Sequence, residues 1–99
     1  MQITVLPDAK VEFLSSVLYY EDIEKGLGEL LRDEVSASVE WIRENPDVPS
    51  LRKGGHRRIN LRKFPYFISY IVRADAIWIL AIAHVHRKPD FWKSRIGKT

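Results

Sequence analysis

A strongly apolar segment in the second half of the chain constrains the fold more than any other feature. Residues 76–83 form an uninterrupted apolar run, and the predicted strand that contains it extends to His86. Because successive side chains of a strand point to opposite faces, an extended conformation makes both faces of this segment apolar. Such a strand is typical of a sheet interior, so we predict that residues 76–86 form the central strand. Its two predicted faces are Ile77, Ile79, Ala81, Ala83 and Val85 on one side, and Trp78, Leu80 and Ile82 on the other.

Three further strands are predicted from short patterns that stop at turn residues. Residues 2–6 are rich in β-forming side chains and end before Pro7. Residues 66–73 follow a Phe64-Pro65 turn, and Ala74-Asp75 is short enough for a tight hairpin into the central strand. Residues 56–63 alternate as a half-buried strand does, which gives the strand a basic outer face. There Ile59 and Leu61 are predicted to face inward, and Arg58, Asn60 and Arg62 outward.

Two helices are predicted between the first and second strands. Val11, Leu14 and Leu18 recur at helical spacing, which indicates a helix from the Asp8 region to about Glu24. A longer apolar stripe follows Gly26, and this second helix ends near Asn45-Pro46 because the residue before a proline disfavours the helical conformation. We expect the stripe to be buried on the sheet. It consists of Leu27, Leu31, Val35, Val39 and Ile42.

The order strand, helix, helix, strand, strand, strand predicts an α+β fold in a single domain spanning residues 1–99. We expect the N-terminal strand and the two-helix hairpin to pack on one face of a mainly antiparallel four-stranded sheet. This arrangement leaves the opposite face of the sheet for function.

The charge of the chain is distributed unevenly. The formal net charge is only +3, but the acidic residues concentrate before residue 48, and only Asp75 and Asp90 follow residue 51. The basic second half is suited to phosphate backbones or to an acidic protein segment. The chain has no cysteine and no N-terminal secretion pattern, so we expect a cytoplasmic protein that neither enters a membrane nor needs a cofactor.

Several motifs occur together in an order that resembles the RelE/ParE toxin superfamily, especially its ParE-like branch. The first half contributes a tyrosine pair at the end of helix one and an Asn-Pro step at the end of helix two. The second half contributes an arginine pair, a basic residue before Phe-Pro-Tyr, a tyrosine within strand three, a strand-ending histidine, and a basic-x-Pro-x-x-Trp tail. These motifs are Tyr19-Tyr20, Asn45-Pro46, Arg57-Arg58, Lys63, Phe64-Pro65-Tyr66, Tyr70, His84, Arg87, Pro89 and Trp92.

This resemblance implies the toxin component of a type II toxin–antitoxin module, which arrests growth, is used in plasmid stabilisation, and is neutralised by a cognate antitoxin. ParE-like members poison DNA gyrase, whereas RelE-like members cut mRNA in the ribosomal A site. Our primary hypothesis is a gyrase poison. The alternatives are a ribosome-dependent, metal-independent mRNA endonuclease and a binding module that has lost toxicity.

The endonuclease hypothesis needs an acid, a base and cations around one phosphate. His84 and His86 share a face of the predicted strand, where they are expected to lie beside Arg58 and Arg62 if the strand registers allow it. Arg87 completes this candidate catalytic set. Alternatively, His84 is a packed residue at the strand end. The tail also lacks the tyrosine that many RelE-like enzymes have, since its aromatic residues are Phe91 and Trp92.

Candidate binding residues follow from the same reasoning. A target or a phosphate is expected to contact Arg57, Arg58, Arg62, Lys63, Arg87 and Lys88. An antitoxin is expected to contact Trp41 and Trp92, although Trp92 has packing of the tail as its alternative role. Tyr66 and Tyr70 could stack on bases, but Tyr70 shares a predicted face with Ile68 and Val72 and is better explained as a core residue. The His84-x-His86 pair lacks further ligands, so no metal site is predicted.

Overall fold

The computed structural model describes residues 1–88 and 90–99, and a four-stranded sheet organises them. Pro89, which belongs to the tail motif, lies outside the described residues. The elements in chain order are β1 (Gln2–Val5), α1 (Pro7–Ile23), α2 (Leu27–Glu44), β2 (His56–Asn60), β3 (Tyr66–Arg73), β4 (Ala76–His84) and a short 3-10 helix (Lys93–Lys98). Within this described part, no helix has the length and apolar character needed to cross a membrane.

The strands are arranged in the order β1-β4-β3-β2. β4 pairs with β3 in antiparallel and with β1 in parallel orientation, and β2 pairs antiparallel with β3. The prediction of a central fourth strand is therefore confirmed, as is the mainly antiparallel α+β arrangement. The helical hairpin carries the chain across one face of the sheet between β1 and the other strands. This crossing allows β1 to pair in parallel with β4.

A carboxylate from α1 fixes the connection between the two helices. Gly26 adopts φ 91°, a left-handed conformation that favours glycine, and it directly precedes α2. The carboxylate of Glu21 accepts hydrogen bonds from the backbone N–H groups of Gly26 and Gly28, at 2.9 and 3.0 Å. These bonds lower the pKa of Glu21, since they stabilise its charged form. The same bonds satisfy donors at the start of α2, which a helix cannot satisfy by itself.

The helical hairpin buries one sheet face, and the second-helix stripe points into this core as predicted. Leu31, Val35 and Ile42 are buried, and Leu27 and Val39 are partly buried against the same cluster. Burial of each large aliphatic side chain contributes roughly 1.5–3 kcal/mol. The sheet supplies the other half of this core through Tyr66, Ile68, Tyr70, Ile77, Ile79 and Ile82.

A β-bulge corrects the predicted faces of β4. Ser69 pairs with Ala81 whereas Tyr70 pairs with Ile79, so Leu80 is an extra residue in β4. Beyond the bulge the alternation is reversed. Ile82 therefore joins Ile77 and Ile79 on the helix side, and Leu80, Ala81 and Ala83 join the second core cluster. The strand also ends at His84 and not at His86.

β2 is shorter than predicted, because a glutamate of α2 draws the chain away from the sheet edge. The strand ends at Asn60, not at Lys63. The Glu34 carboxylate accepts hydrogen bonds from the backbone N–H groups of Arg62 at 2.6 Å and of Lys63 at 3.1 Å. These bonds hold residues 62–63 in the turn that leads to β3.

The face opposite the helices is covered in part by the C-terminal segment, which corrects the prediction of a free face. Trp92 is buried there in a second cluster with Leu6, Phe67 and Leu80, and Phe91 and Ile96 pack against it. The sheet therefore has apolar layers on both sides, which explains why β4 is apolar on both faces.

Candidate functional site

The structure divides the predicted catalytic set between the two faces of the sheet. His84 pairs with Tyr66 across the strands, on the helix side, with ring centroids 5.4 Å apart. Arg58 lies over the ring of Phe67, which points to the opposite side from its neighbour Tyr66. The expectation that His84 lies beside Arg58 on one face is therefore wrong. The reversal of alternation at Leu80 is the physical reason, since it moves His84 to the helix side.

The two histidines lie beside each other at the end of β4. The His84 Nδ1 atom accepts a hydrogen bond from the backbone N–H of His86 at 3.0 Å, and the ring centroids are 4.9 Å apart. His84 lines a groove with Glu12, Ser16, Tyr66 and Arg87. The Tyr66 hydroxyl is hydrogen-bonded to Ser16 Oγ at 3.0 Å. This groove thus contains one cation of the predicted catalytic set, Arg87.

Three other predicted binding residues lie elsewhere. Arg57 donates hydrogen bonds to the backbone oxygens of Asp47 and Pro49, so it holds the loop after α2. Arg62 lines a groove beside α2 that includes Trp41. Lys63 is exposed in the turn before β3. The Glu34 hydrogen bonds and the early end of β2 set the positions of Arg62 and Lys63.

The remaining three cations meet in one small cavity on the face away from the helices. Arg58, Arg87 and Lys88 line it together with Trp92. Arg52 and His56 also line it, and sequence reasoning did not select either of them. The alternation of β2 could have identified His56, because it lies two residues before Arg58 and hence on the same face.

Arg58 is partly buried in this cavity, whereas Arg52, Arg87 and Lys88 are exposed at its rim. Burial and the nearby charge of Arg52 lower the pKa of Arg58. Burial and the charges of Arg52 and Lys93 lower the pKa of His56, against an opposing effect of Asp90. The His56 side chain is therefore biased toward its neutral form, which can donate one hydrogen bond and accept another.

Burial distinguishes between the alternative roles of two aromatic residues. Tyr70 is fully buried and donates a hydrogen bond from its hydroxyl to the backbone oxygen of Pro46 at 2.7 Å. Trp92 is 4% exposed and packs edge-on against His56, with ring centroids 4.5 Å apart. Its alternative role, packing of the tail, is thus the one observed. In this position Trp92 offers little surface to an antitoxin.

Trp41 is 41% exposed, as predicted for a residue off the buried stripe of α2. It lines a groove between α2 and the edge strand β2, with Ala37, Ser38 and Ile59 among its neighbours. The side chains of Ala37 and Ser38 on α2 are small, and the Trp41 ring forms one wall of the groove. The groove therefore has room for an apolar side chain of a partner.

A second apolar surface lies on α1 and was not anticipated. Val11, Leu14 and Leu18, which predicted the helix, face solvent with exposures of 64%, 43% and 66%. The sheet is instead contacted by Ala9, Phe13, Val17 and Tyr20. The periodicity predicted the position of the helix correctly, but it did not identify which of the two apolar faces of this helix is buried. An exposed stripe of this kind is typical of a partner-binding surface.

Among residues 1–88 and 90–99, no group of three or more His, Asp or Glu side chains is placed to hold a metal ion. The His84–His86 pair therefore has no further ligand within this range.

Comparison with known proteins gives an informative structural likeness. No family model matches the chain, and no curated protein sequence matches it. Its fold is similar to a chain of the solved structure titled "Chromosomal ParDE TA system from P. aeruginosa", with a TM-score of 0.66 and 19% sequence identity. The similarity covers 85% of this chain and 95% of that chain. The fold implied by the RelE/ParE resemblance is thus the fold that this chain has.

Proposed function

We propose that the chain is the toxin component of a type II toxin–antitoxin module and that a cognate antitoxin neutralises it in the cytoplasm. The observation that carries this proposal is the fold shared with a chain of the ParDE system over nearly the whole of both chains. The ordered motifs from Tyr19-Tyr20 to Trp92 support it independently, since they come from the sequence alone.

Within this proposal, poisoning of DNA gyrase is the better-supported activity. The mRNA endonuclease alternative requires acid, base and cations around a single phosphate. Here His84 lies on the helix side, Arg58 on the opposite side and Arg62 beside Trp41. A set divided in this way supports a toxin that acts by binding, with Arg58, Arg87 and Lys88 as candidate target contacts.

We further propose that the antitoxin covers the α1 stripe (Val11, Leu14 and Leu18) and the Trp41 groove. Both surfaces combine exposed apolar side chains with helical walls, and an amphipathic segment recognises such surfaces by its apolar face. Covering these surfaces would remove apolar area from water. This burial stabilises the complex by about 25 cal/mol per Å², before the free-energy cost of association is subtracted.

Inducing the chain by itself in bacteria tests the proposed activity. We expect growth arrest with broken or relaxed plasmid DNA, while mRNA stays intact at ribosomal A-site codons. Cleavage of mRNA at those codons with unaltered plasmid topology contradicts the gyrase proposal. Normal growth at a confirmed level of folded protein contradicts the toxin proposal and favours the non-toxic binding module.

Introducing negative charge into the apolar stripe of α1 tests the antitoxin surface. A Leu14→Glu and Leu18→Glu double variant should remain toxic but escape a co-expressed antitoxin that restores growth in the wild type. Leu51→Glu is a matched control because Leu51 is similarly exposed but lies outside α1.

For the groove, tryptophan emission should change on complex formation in the wild type and much less in Trp41→Phe. An unchanged wild-type emission rejects the Trp41 contact.

A further inference from the structure

The C-terminal segment, residues 90–99, closes over a buried histidine on the sheet face away from the helices. His56 of β2 is 5% exposed, and its ring packs edge-on against Trp92 with the ring centroids 4.5 Å apart. Trp92 is itself 4% exposed and belongs to the apolar cluster on this face. Trp92 is therefore part of the cover that separates the His56 ring from bulk water.

The closed position of this segment leaves polar atoms beneath it without partners. The Nδ1 atom of His56 is buried and has no hydrogen-bond partner among residues 1–88 and 90–99. Within the same described range, the buried Oγ of Ser69 has none either. Ser69 pairs with Arg58 across the strands, so it lies on the same face of the sheet as His56. Because buried polar atoms are rarely left without partners, these two groups favour an open position in which water reaches them.

Positive charge surrounds the His56 ring on several elements. Asp90 brings an acidic group to the cavity beside the ring, but its carboxylate is paired with the ammonium group of Lys93 at 3.4 Å. β3 contributes the apolar ring of Phe67. A proton on His56 would thus add a cation to a site where like charges already predominate. The cations of this site are Arg52, Arg58, Arg87, Lys88 and Lys93.

These surroundings oppose protonation of His56 while the segment is closed. Burial is the largest cause that lowers its pKa, followed by the positive charges of Arg52 and Lys93. Asp90 and the backbone of the preceding loop act in the opposite direction. When Trp92 moves away, the ring regains water and its pKa returns toward the ordinary value of about 6.5. The open form then binds the proton more tightly than the closed form, so lowering the pH favours opening.

Ion pairs fasten the far end of the segment to α1. Arg95 donates hydrogen bonds to the Glu12 carboxylate, and Lys98 donates one to Asp8 at 3.1 Å. Side-chain carboxyl groups ordinarily titrate near pH 4, and the hydrogen bond from Lys98 is the main cause that lowers the pKa of Asp8. In mild acid, the titrating contact of the segment is therefore the one between His56 and Trp92.

We propose that His56 is a proton-operated switch of the C-terminal segment: in mild acid, protonated His56 displaces Trp92 and uncovers the apolar sheet face beneath. The uncovered surface includes Phe67 and Leu80, which pack in one cluster with Trp92 in the closed form. The inference concerns a conformational equilibrium of the chain itself. It does not rest on the proposed function.

Hydrogen exchange of backbone amides, followed by NMR between about pH 7.5 and about pH 5.5 and corrected for intrinsic exchange rates, tests this switch. We expect the opening constant of residues 90–96 to rise by up to about tenfold over this range, as one proton bound on opening requires. At every pH these amides should exchange with a larger opening constant than the amides of β3. Equal opening constants in the two regions would overturn the proposal, because the segment would then open only when the sheet unfolds.

Two histidine variants identify the titrating group. His56→Gln should abolish the rise in opening, since glutamine does not titrate. His86→Gln is the matched control and should retain the rise, because His86 is exposed at the end of β4. A rise that persists in His56→Gln, or that is lost in His86→Gln, would overturn the assignment to His56.

The pH profile of the wild type decides the question even if His56→Gln does not fold. The rise should begin near pH 6.5, about the ordinary pKa of a histidine in water. A rise that begins only below about pH 5 would assign the opening to the carboxylates that hold Arg95 and Lys98, and would overturn the proposal. An opening constant that does not change with pH would overturn it as well.

Discussion

At the scale of single residues, buried polar groups hold the loops around the sheet. The hydroxyl of Tyr70 extends through the helix-side core to the backbone oxygen of Pro46, where α2 has just ended. Burial raises the pKa of this hydroxyl to about 12, so it remains a donor at any physiological pH. One hydrogen bond thus ties the middle of β3 to the loop that returns the chain to the sheet.

Removing this hydroxyl should destabilise the protein without changing its shape. We expect Tyr70→Phe to lower the free energy of unfolding by about 1–2 kcal/mol, because the Pro46 oxygen loses its donor. Tyr19→Phe should change it by less than about 0.5 kcal/mol, since Tyr19 is largely exposed. Urea denaturation of both variants checks the difference. Equal effects would show that the Pro46 contact contributes nothing.

His56 should make stability depend on pH. Burial is the main cause that lowers its pKa below the ordinary value of 6.5, followed by the positive charges of Arg52 and Lys93. Below about pH 6.5 the unfolded chain therefore binds a proton that the folded chain does not, so stability falls as the pH is lowered. We expect His56→Gln to flatten the dependence of unfolding free energy on pH between about pH 7 and about pH 5, above the carboxylate range. Identical slopes in both proteins would contradict this assignment.

At the scale of elements, the helical hairpin depends on a close approach between α1 and α2. A Cβ atom at Gly28 would lie 2.4 Å from the backbone oxygen of Val17 and 3.0 Å from the Cβ of Glu21. Since the first of these is a backbone atom, the helices would have to separate.

Gly28→Ala should therefore destabilise the protein by about 1–3 kcal/mol despite the higher helix propensity of alanine. Gly97→Ala is the control, because a Cβ atom there meets nothing within 4 Å. Thermal unfolding followed by circular dichroism measures both. A Gly28→Ala protein as stable as the wild type would show that the hairpin can relax at no cost.

The order and types of the elements could be predicted because each has a strong local pattern. The stripe of α2 and the apolar β4 both occupy the predicted positions. The errors arise where the pairing of strands or a distant contact changes a local pattern: the bulge at Leu80 reverses the alternation of β4, and Glu34 shortens β2. Neither feature is visible in the sequence near the affected residues.

The candidate site was less predictable for the same reason. The charge pattern correctly grouped Arg58, Arg87 and Lys88, which line one cavity. It also included Arg57, whose side chain instead donates a hydrogen bond to a backbone oxygen of the loop after α2. His56 and Arg52 carry no motif. His56 lines the cavity because the C-terminal segment folds back and places Trp92 against it, and the backbone N–H of Arg52 donates to the His56 oxygen at 2.8 Å.

At the scale of the whole molecule, the C-terminal segment joins the sheet to the start of α1. Arg95 donates hydrogen bonds to both Glu12 carboxylate oxygens, at 2.9 and 2.6 Å, and to the backbone oxygen of Leu80 at 3.0 Å. The Glu12 carboxylate raises the pKa of Arg95, which is largely buried. Through Leu80 this contact reaches the bulge of β4, so the tail, the first helix and the central strand meet at one side chain.

Breaking this contact should release the tail and open the second face of the sheet. We expect Arg95→Gln to lower the free energy of unfolding by about 2–4 kcal/mol, because Glu12 would remain as a partly buried charge without its partner. Lys93→Gln removes an exposed pair from the same 3-10 helix and should cost less than about 0.5 kcal/mol. Hydrogen exchange of the wild type and both variants follows the amides of residues 90–96. We expect faster exchange of these amides in Arg95→Gln alone, with the amides of β3 still protected. Uniform acceleration across the sheet would contradict separate opening of the tail, because it would show that the tail and the sheet unfold together.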